Sequence, residues 1–145
     1  MTKWQARFIR FAKEVSTWSK DPKAQVGCVI VSPDKRQITY GYNGFPPTVP
    51  DYEESLVNEE LKLKLMVHAE LNAILNARTS LANWHLYSTK CLCLDCAKAV
   101  IQSGITSVTC PPINVNSKWH ETNEEALALL SQADIAITTY NEDLL

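Results

Sequence analysis

The sequence predicts an α/β fold in which a hairpin is followed by alternating helices and strands. A nearly continuous apolar run, rich in β-branched residues, extends over residues 25–32 and is typical of a buried strand. After the turn at Pro33-Asp34, residues 36–42 are predicted to form its hairpin partner. Three later strand patterns are separated by helical patterns, and strands connected in this way form parallel crossovers.

The chain begins with an amphipathic helix, which we predict over residues 3–18. The apolar positions at helical spacing are Trp4, Phe8, Phe11, Ala12 and Val15. We expect this stripe to pack in the core. The turn-rich segment 19–22 ends the helix. Beyond the hairpin, residues 41–47 leave the sheet in a loop, because Asn-Gly followed by two prolines favours turns.

Helices and strands then alternate to the end of the chain. Residues 51–66 begin with acidic groups and end near Lys62 and Lys64, which suits the macrodipole of a helix. The two lysines are expected to form a solvated face. Later helices are predicted over residues 67–78, 93–103 and 123–132. Later strands are predicted over residues 83–89, 105–110 and 135–140, with a loop at 113–121.

Size and charge favour a single domain and a small ligand. The chain has 145 residues, enough to bury one core, and we expect residues 1–145 to form one domain. The formal net charge is −2 and no run of Lys or Arg exceeds two, which disfavours long nucleic acid. The sequence lacks a signal-peptide core or an apolar run long enough for a membrane span. We therefore expect a cytoplasmic protein.

The cysteines are odd in number, and three of them crowd into six residues. They are Cys28, Cys91, Cys93, Cys96 and Cys110. This distribution favours metal binding in a reducing compartment over a disulfide framework. Cys28 and Cys110 fall in apolar strand patterns and are expected to be inert core thiols.

A candidate metal site combines an imidazole, a carboxylate and two thiols. His68 and Glu70 stand two residues apart at the predicted start of an apolar helix. Cys93 and Cys96 follow with C-x-x-C spacing. One imidazole and two thiolates leave a tetrahedral zinc with an open position, as in catalytic sites. H-x-E followed by C-x-x-C is typical of the zinc nucleobase deaminases, in which the Glu carries protons and does not bind the metal.

The start of the helix matters to this prediction. Positions two apart in the middle of a helix do not share a face, so His68 and Glu70 can converge only in the first turn. Cys93 and Cys96 also lie at a predicted helix start, where the helix dipole favours thiolates. Cys91 remains an alternative ligand, because C-x-C spacing to Cys93 also suits a metal.

The chemistry of such a site is hydrolytic. Zinc lowers the pKa of a water from about 15.7 toward about 7, which makes it a nucleophile near neutral pH. The target is an aromatic amidine carbon such as C4 of cytosine. A ring nitrogen must gain a proton and the departing ammonia needs another. Glu70 is the candidate carrier for both.

Beyond these motifs, the chain resembles the deoxycytidylate deaminase family of the zinc-dependent cytidine and deoxycytidylate deaminase superfamily. The matching blocks span nearly the whole chain and occur in the family's order. They are Ser19–Pro22 with Gln25–Gly27, Gly41–Gly44, His68–Ile74, Cys93–Lys98 and Lys118–His120. The resemblance implies a three-layer fold with a five-stranded mixed sheet flanked by helices. It also implies hydrolysis of dCMP to dUMP and ammonia.

The same resemblance implies roles for individual residues. One zinc per chain is expected on His68, Cys93 and Cys96, with Glu70 as proton shuttle. Asn43 is expected to contact the sugar, and the backbone of Ala69 to lie near the pyrimidine.

Regulation and assembly are likewise expected from the resemblance. Family members are commonly hexamers, activated by dCTP and inhibited by dTTP, often with Mg²⁺ on the triphosphate. The effector site is expected at Lys20, Gly41, Tyr42, Gly44 and Phe45.

Leu92 departs from the family pattern, which usually has Pro before the first Cys of C-x-x-C. Proline would fix the backbone that enters the helix, so this change bears on the ligand geometry. The residues that hold the substrate phosphate stay open. The candidates are Lys62, Lys64, Arg78 and Lys118.

Two other classes of function stay open at this point. The first is a zinc deaminase acting on free cytidine, a riboflavin precursor or a tRNA adenine. The tRNA substrate is disfavoured by the acidic balance and the lack of basic clusters. The second is a protein without activity, either an inactive regulatory homologue or a structural zinc module with Cys91 as the fourth ligand that a closed site needs. Glu70 discriminates, because a structural site has no use for a carboxylate beside the metal.

Overall fold

The centre of the molecule is a five-stranded mixed sheet. The computed structural model describes residues 1–145, except for the side chain of Leu144. The strands are β1 (Gly27–Val31), β2 (Ile38–Tyr42), β3 (His85–Ser88), β4 (Ser107–Cys110) and β5 (Ala136–Thr139). They lie in the order β2-β1-β3-β4-β5. Strand β1 is antiparallel to β2 and β3, while β3, β4 and β5 are parallel. The predicted mixed sheet is confirmed.

Helices cover both faces of this sheet and give the three predicted layers. They are α1 (Lys3–Ser16), α2 (Glu53–Val57), α3 (Glu59–Leu65), α4 (Ala69–Asn76), α5 (Leu94–Gln102) and α6 (His120–Gln132), followed by a 3₁₀ turn at Glu142–Leu144. Successive side chains of a strand point to opposite faces. Val29 and Val31 therefore pack with α1, whereas Cys28 and Ile30 pack with α4 and α5. Among the described residues, no helix is long and apolar enough to cross a membrane.

The aromatic stripe of α1 is only partly buried, which corrects the prediction that all of it lies in the core. Phe8, Ala12 and Val15 are buried, but Trp4 is 45% exposed and Phe11 is 39% exposed. The sheet covers a narrower face of the helix than the apolar stripe. Trp4 instead stacks on Phe8, with ring centroids 5.9 Å apart.

The predicted helix over residues 51–66 is two helices. Asn58 has extended backbone between α2 and α3, and its side chain accepts a hydrogen bond from the amide of Leu61. The prediction of a solvated lysine face is wrong for Lys62, which is 4% exposed and donates to Asp21 Oδ1 at 3.0 Å. Lys64 is exposed as expected. The alternation of Leu and Lys in the sequence does not reveal that Lys62 has an acidic partner, Asp21, far away along the chain.

A glycine allows α4 to lie directly on β2. A Cβ on Gly41 would fall 2.4 Å from the nitrogen of Ala73 and 2.5 Å from the oxygen of Ala69. The start of α4 also lies near the end of β3, where Ser88 donates a hydrogen bond to Glu70. Helix α5 begins beyond that same end, so two helix N-termini meet outside the carboxyl ends of β3 and β4, where α/β folds bind their ligands.

Candidate metal centre and active site

The structure brings His68, Cys93 and Cys96 together. Their ligand atoms all lie within 4.8 Å of one another. The Nδ1 atom of His68 is 3.3 Å from the sulfur of Cys93 and 3.4 Å from that of Cys96. Residues that are 25 and 28 positions apart in the chain therefore form one cluster.

Helix starts place these side chains. His68 is the N-cap of α4 and Cys93 is the N-cap of α5, with its sulfur accepting the amide of Cys96 at 3.5 Å. Both ligand-bearing turns thus sit at the positive ends of helix dipoles, which favour thiolates. The requirement that His68 and Glu70 lie in the first turn is met.

The contacts within the cluster favour the thiolate form of Cys93. A hydrogen bond from Cys96, helped by His68, lowers the pKa of Cys93 to about 4 despite its burial. Its hydrogen bond to Cys93, together with burial, raises the pKa of Cys96. The bond to Cys93 also raises the pKa of His68. Metal ligands bind in their deprotonated forms, so the lowered pKa of Cys93 favours metal binding.

The donor set fits zinc. One imidazole nitrogen and two thiolate sulfurs are preferred zinc ligands, and three protein ligands leave the fourth position open. Cys91 lies outside the cluster, and its thiol faces Cys110. A fourth protein ligand from Cys91, which a closed structural site would use, is therefore not in place.

Glu70 is held beside the cluster by a serine that the sequence analysis did not single out. Glu70 is 4% exposed, and its Oε1 accepts a hydrogen bond of 2.7 Å from Ser88 Oγ. Burial raises the pKa of Glu70, although the bond from Ser88 opposes this. In the sequence, the signal that could have identified Ser88 is a hydroxyl residue at the end of an apolar strand, just before the cysteines.

A cavity of about 540 Å³ opens over the cluster and is lined by His68, Ala69, Glu70 and Cys93. This volume lies within the range of about 300–1,000 Å³ that is usual for ligand pockets. Asn43 also lines it, but its amide is engaged by the protein. Its Oδ1 accepts the amide of Val26 at 2.9 Å and its Nδ2 donates to the oxygen of Ala24 at 2.8 Å.

The basic residues that line this cavity include two that the sequence analysis did not single out. Of the four candidate phosphate contacts, Lys62 and Lys118 line the cavity, whereas Lys64 and Arg78 do not. Two lysines that were not singled out, Lys23 and Lys90, line it as well.

Trp119 forms a wall of the cavity. The sequence analysis named it only within the segment Lys118–His120, which resembles the family. Its ring meets the His68 ring edge-to-face, with centroids 5.9 Å apart and planes at 85°.

A second cavity, of about 320 Å³, contains four of the five residues expected at the effector site. Lys20, Tyr42, Gly44 and Phe45 line it. Gly41 lies apart from this lining, against α4. Lys20 donates to Asp51 Oδ2 at 2.7 Å, so its charge is shared with a carboxylate in the same cavity.

The chain is similar in sequence to known deaminases. The sequence profile described as "Cytidine and deoxycytidylate deaminase zinc-binding region" matches residues 2–111. An uncharacterized deaminase in the luxG 3′ region of Aliivibrio fischeri is 37% identical over 147 residues, covering 100% of this chain and 99% of that protein. Human deoxycytidylate deaminase is 34% identical over 133 residues, covering 88% of this chain and 72% of that protein.

Solved structures show the same fold. The dCMP deaminase of cyanophage S-TIM5, in complex with dCMP and dUMP, aligns with a TM-score of 0.76 and 21% identity. The alignment covers 97% of this chain and 99% of that one. The fold is therefore the one found in dCMP deaminase structures. The chain belongs to the cytidine and deoxycytidylate deaminase family, and it is a hydrolase of that zinc-dependent family.

Proposed function

We propose that this protein hydrolyses dCMP to dUMP and ammonia with one zinc ion per chain. The observation that carries the proposal is the convergence of His68, Cys93 and Cys96 beside a buried Glu70. Support for the substrate comes from human deoxycytidylate deaminase, which is 34% identical over 88% of this chain.

Glu70 would move the protons of the reaction. His68, Cys93 and Cys96 would hold the zinc, which would supply a water that is nucleophilic near neutral pH. As the water oxygen bonds to C4 of the cytosine, Glu70 takes one proton from it and gives this proton to ring nitrogen N3. Glu70 then moves the second proton to the amino group, the C4–N4 bond breaks and ammonia leaves. The Ser88 hydroxyl orients the carboxylate throughout.

The cavity supplies contacts for the rest of the substrate. The backbone of Ala69 lies beside Glu70 in the cavity and is assigned to the pyrimidine, and Asn43 is assigned to the sugar. Lys118 and Lys23 are the proposed phosphate contacts, because both line the mouth and are exposed. In the protein alone both bind Glu59, and Lys118 above all lowers the pKa of Glu59 to about 2. Lys62 is committed to Asp21.

The second cavity is the proposed regulatory site. Activation by dCTP and inhibition by dTTP, with Mg²⁺ on the triphosphate, would act through Lys20, Tyr42, Gly44 and Phe45, whereas Gly41 lies outside this lining. Support comes from the common lining of the four residues and from the basic group of Lys20 within it. We further propose a cytoplasmic hexamer in which residues 1–145 form one domain.

The test of substrate is a panel of nucleotides. Zinc-loaded protein is offered dCMP, CMP, deoxycytidine and dCTP in parallel, with and without dCTP or dTTP as effector, and ammonia release is measured. Turnover of dCMP that rises with dCTP and falls with dTTP is expected. Turnover of deoxycytidine without dCMP would contradict the substrate and retain the zinc chemistry. No turnover by zinc-loaded protein would favour the structural or inactive alternative.

A further inference from the structure

We infer that the N-cap and first turn of α6, residues 119–123, position the zinc-ligand set, with Thr122 and Asn123 as positioning residues. This turn contacts both ligand-bearing helices, from a part of the chain beyond residues 2–111, which the family profile matches. The inference rests on the proposed zinc binding and adds residues to it.

Asn123 holds the backbone that leads into the ligand Cys93. Its side chain is buried, at 6% exposed, and its Nδ2 donates to the oxygen of Leu92 at 2.7 Å and to that of Cys91 at 3.2 Å. One amide therefore fixes two successive carbonyl groups. Their orientation sets the direction in which the chain enters α5, and hence where the sulfur of Cys93 points.

Thr122 holds the other side of the same ligand. Its Oγ1 accepts a hydrogen bond of 2.9 Å from the amide of Leu94. Leu94 is the first residue of α5, and its amide is one of those that no carbonyl of the helix can accept. Cys93 thus lies between two backbone points, at positions 92 and 94, that both bond to α6.

Trp119 extends the contact to the imidazole ligand. Its ring meets that of His68 edge-to-face at 5.9 Å, as described above. A single helical turn therefore touches the ligand of α4 and brackets the first ligand of α5.

The residue before Cys93 is Leu92, and its identity explains why the bonds from α6 matter. Proline restricts its own φ, so a proline at position 92 would hold this stretch of backbone. Leu92 lacks that restriction. Two side-chain bonds from α6 supply an external constraint on the same stretch of backbone.

Zinc release is the test, because it needs no nucleotide. Zinc-loaded wild type, Asn123→Ala, Thr122→Val and Thr122→Ser are mixed with excess chromophoric chelator, and the rate of zinc transfer is followed. Asn116→Ala is the matched control, since Asn116 is exposed in the loop just before α6. Thermal unfolding is measured for the metal-free and zinc-loaded forms of each variant.

Asn123→Ala and Thr122→Val are expected to release zinc about tenfold faster or more, the usual effect of removing a residue that orients a metal ligand. Thr122→Ser keeps the hydroxyl and should match wild type, as should Asn116→Ala. Zinc should raise the unfolding temperature less in the two impaired variants. If Asn123→Ala does not fold, the zinc-release rates of Thr122→Val and Thr122→Ser are compared, and this comparison alone tests the inference.

Two results would overturn the inference. One is release from both impaired variants at the rate of wild type. The other is an equal loss of stability with and without zinc, which is the behaviour of a residue that only supports the fold. A wild-type protein that binds zinc but does not turn over dCMP would contradict the proposed substrate and would not affect this inference. A wild type that binds no zinc would overturn both.

Discussion

Glu70 owes its assigned role to its surroundings. A carboxylate on the surface is ionised at neutral pH and exchanges protons with water. Burial raises the pKa of Glu70 toward the working range of a proton carrier, and Ser88 fixes one of its oxygens. The structure places it beside His68, Cys93 and Cys96, all of which the sequence motif pairs with it.

Replacing Glu70 with glutamine should separate metal binding from turnover. Glu70→Gln keeps the size and the acceptor oxygen for Ser88 but cannot carry a proton. We expect kcat for dCMP to fall by about 10²-fold or more. Zinc content, measured by elemental analysis, should equal that of wild type. Full turnover in this variant would contradict the assigned mechanism.

Removing the Ser88 hydroxyl should weaken catalysis without removing the metal. A hydrogen bond to a charged group contributes about 1.5–3 kcal/mol, so Ser88→Ala should lower kcat by roughly tenfold to a hundredfold. KM and zinc content should change little. Ser103→Ala is a suitable control, because its hydroxyl donates to the oxygen of Val100 in the last turn of α5. Equal kinetics in both variants would show that the bond to Glu70 is not used.

At the scale of elements, a buried ion pair joins α3 to the segment that follows α1. Lys62 Nζ lies 3.0 Å from Asp21 Oδ1, with side-chain exposures of 5% and 4%. Asp21 also accepts hydrogen bonds from the amides of Lys23 and Ala24. This pair shapes one wall of the cavity.

Breaking this pair should destabilise the fold. Lys62→Met leaves the Asp21 carboxylate buried without its cation, which costs about 3–5 kcal/mol in the free energy of unfolding. Lys64→Met removes an exposed lysine two positions away and should change this free energy by less than about 0.5 kcal/mol. Denaturant titration measures both. Similar effects in the two variants would contradict the burial of Lys62.

The same pair predicts how stability depends on pH. Burial alone would raise the pKa of Asp21, but bonds from the amides of Lys23 and Ala24 and from Lys62 outweigh it and lower the pKa below 3.8. A carboxyl with a lowered pKa adds stability above its unfolded pKa, and this stability is lost as the pH falls through the folded value. The deficit of Asp21→Asn relative to wild type should therefore shrink below about pH 4. If the difference in the free energy of unfolding stays constant from neutral to acidic pH, Asp21 is not ionised in the native protein.

Element type was more predictable than element boundaries. The starts of α4 and α5 were placed within one or two residues because the metal motif demanded first-turn positions. The break at Asn58 was not foreseen, since asparagine is compatible with a helix but also caps one. Helix α6 begins at His120 and not at 123, because the polar residues of its first turn carry no apolar periodicity. Those residues include Thr122 and Asn123, which act through contacts in space.

At the scale of the whole molecule, the site combines parts that periodicity cannot bring together. Residues from the ends of β2 and β3, the starts of α4 and α5 and the first turn of α6 surround one cavity. The order of strands and helices predicted a hairpin followed by parallel crossovers, and the family resemblance implied the five-stranded mixed sheet. Which basic residue reaches the cavity depends on the path of the backbone, so the sequence could not rank Lys118 above Lys64 and Arg78, and it did not single out Lys23.

The most direct test is dCMP turnover by the same preparation with zinc removed and restored. The loss of cytosine absorbance would be followed at neutral pH for zinc-loaded, chelator-stripped and reloaded protein. We expect dUMP and ammonia in equal amounts, activity that falls with zinc content toward zero, and recovery at one zinc per chain. Unchanged activity in fully stripped protein, or no conversion of dCMP by fully loaded protein, would contradict the account.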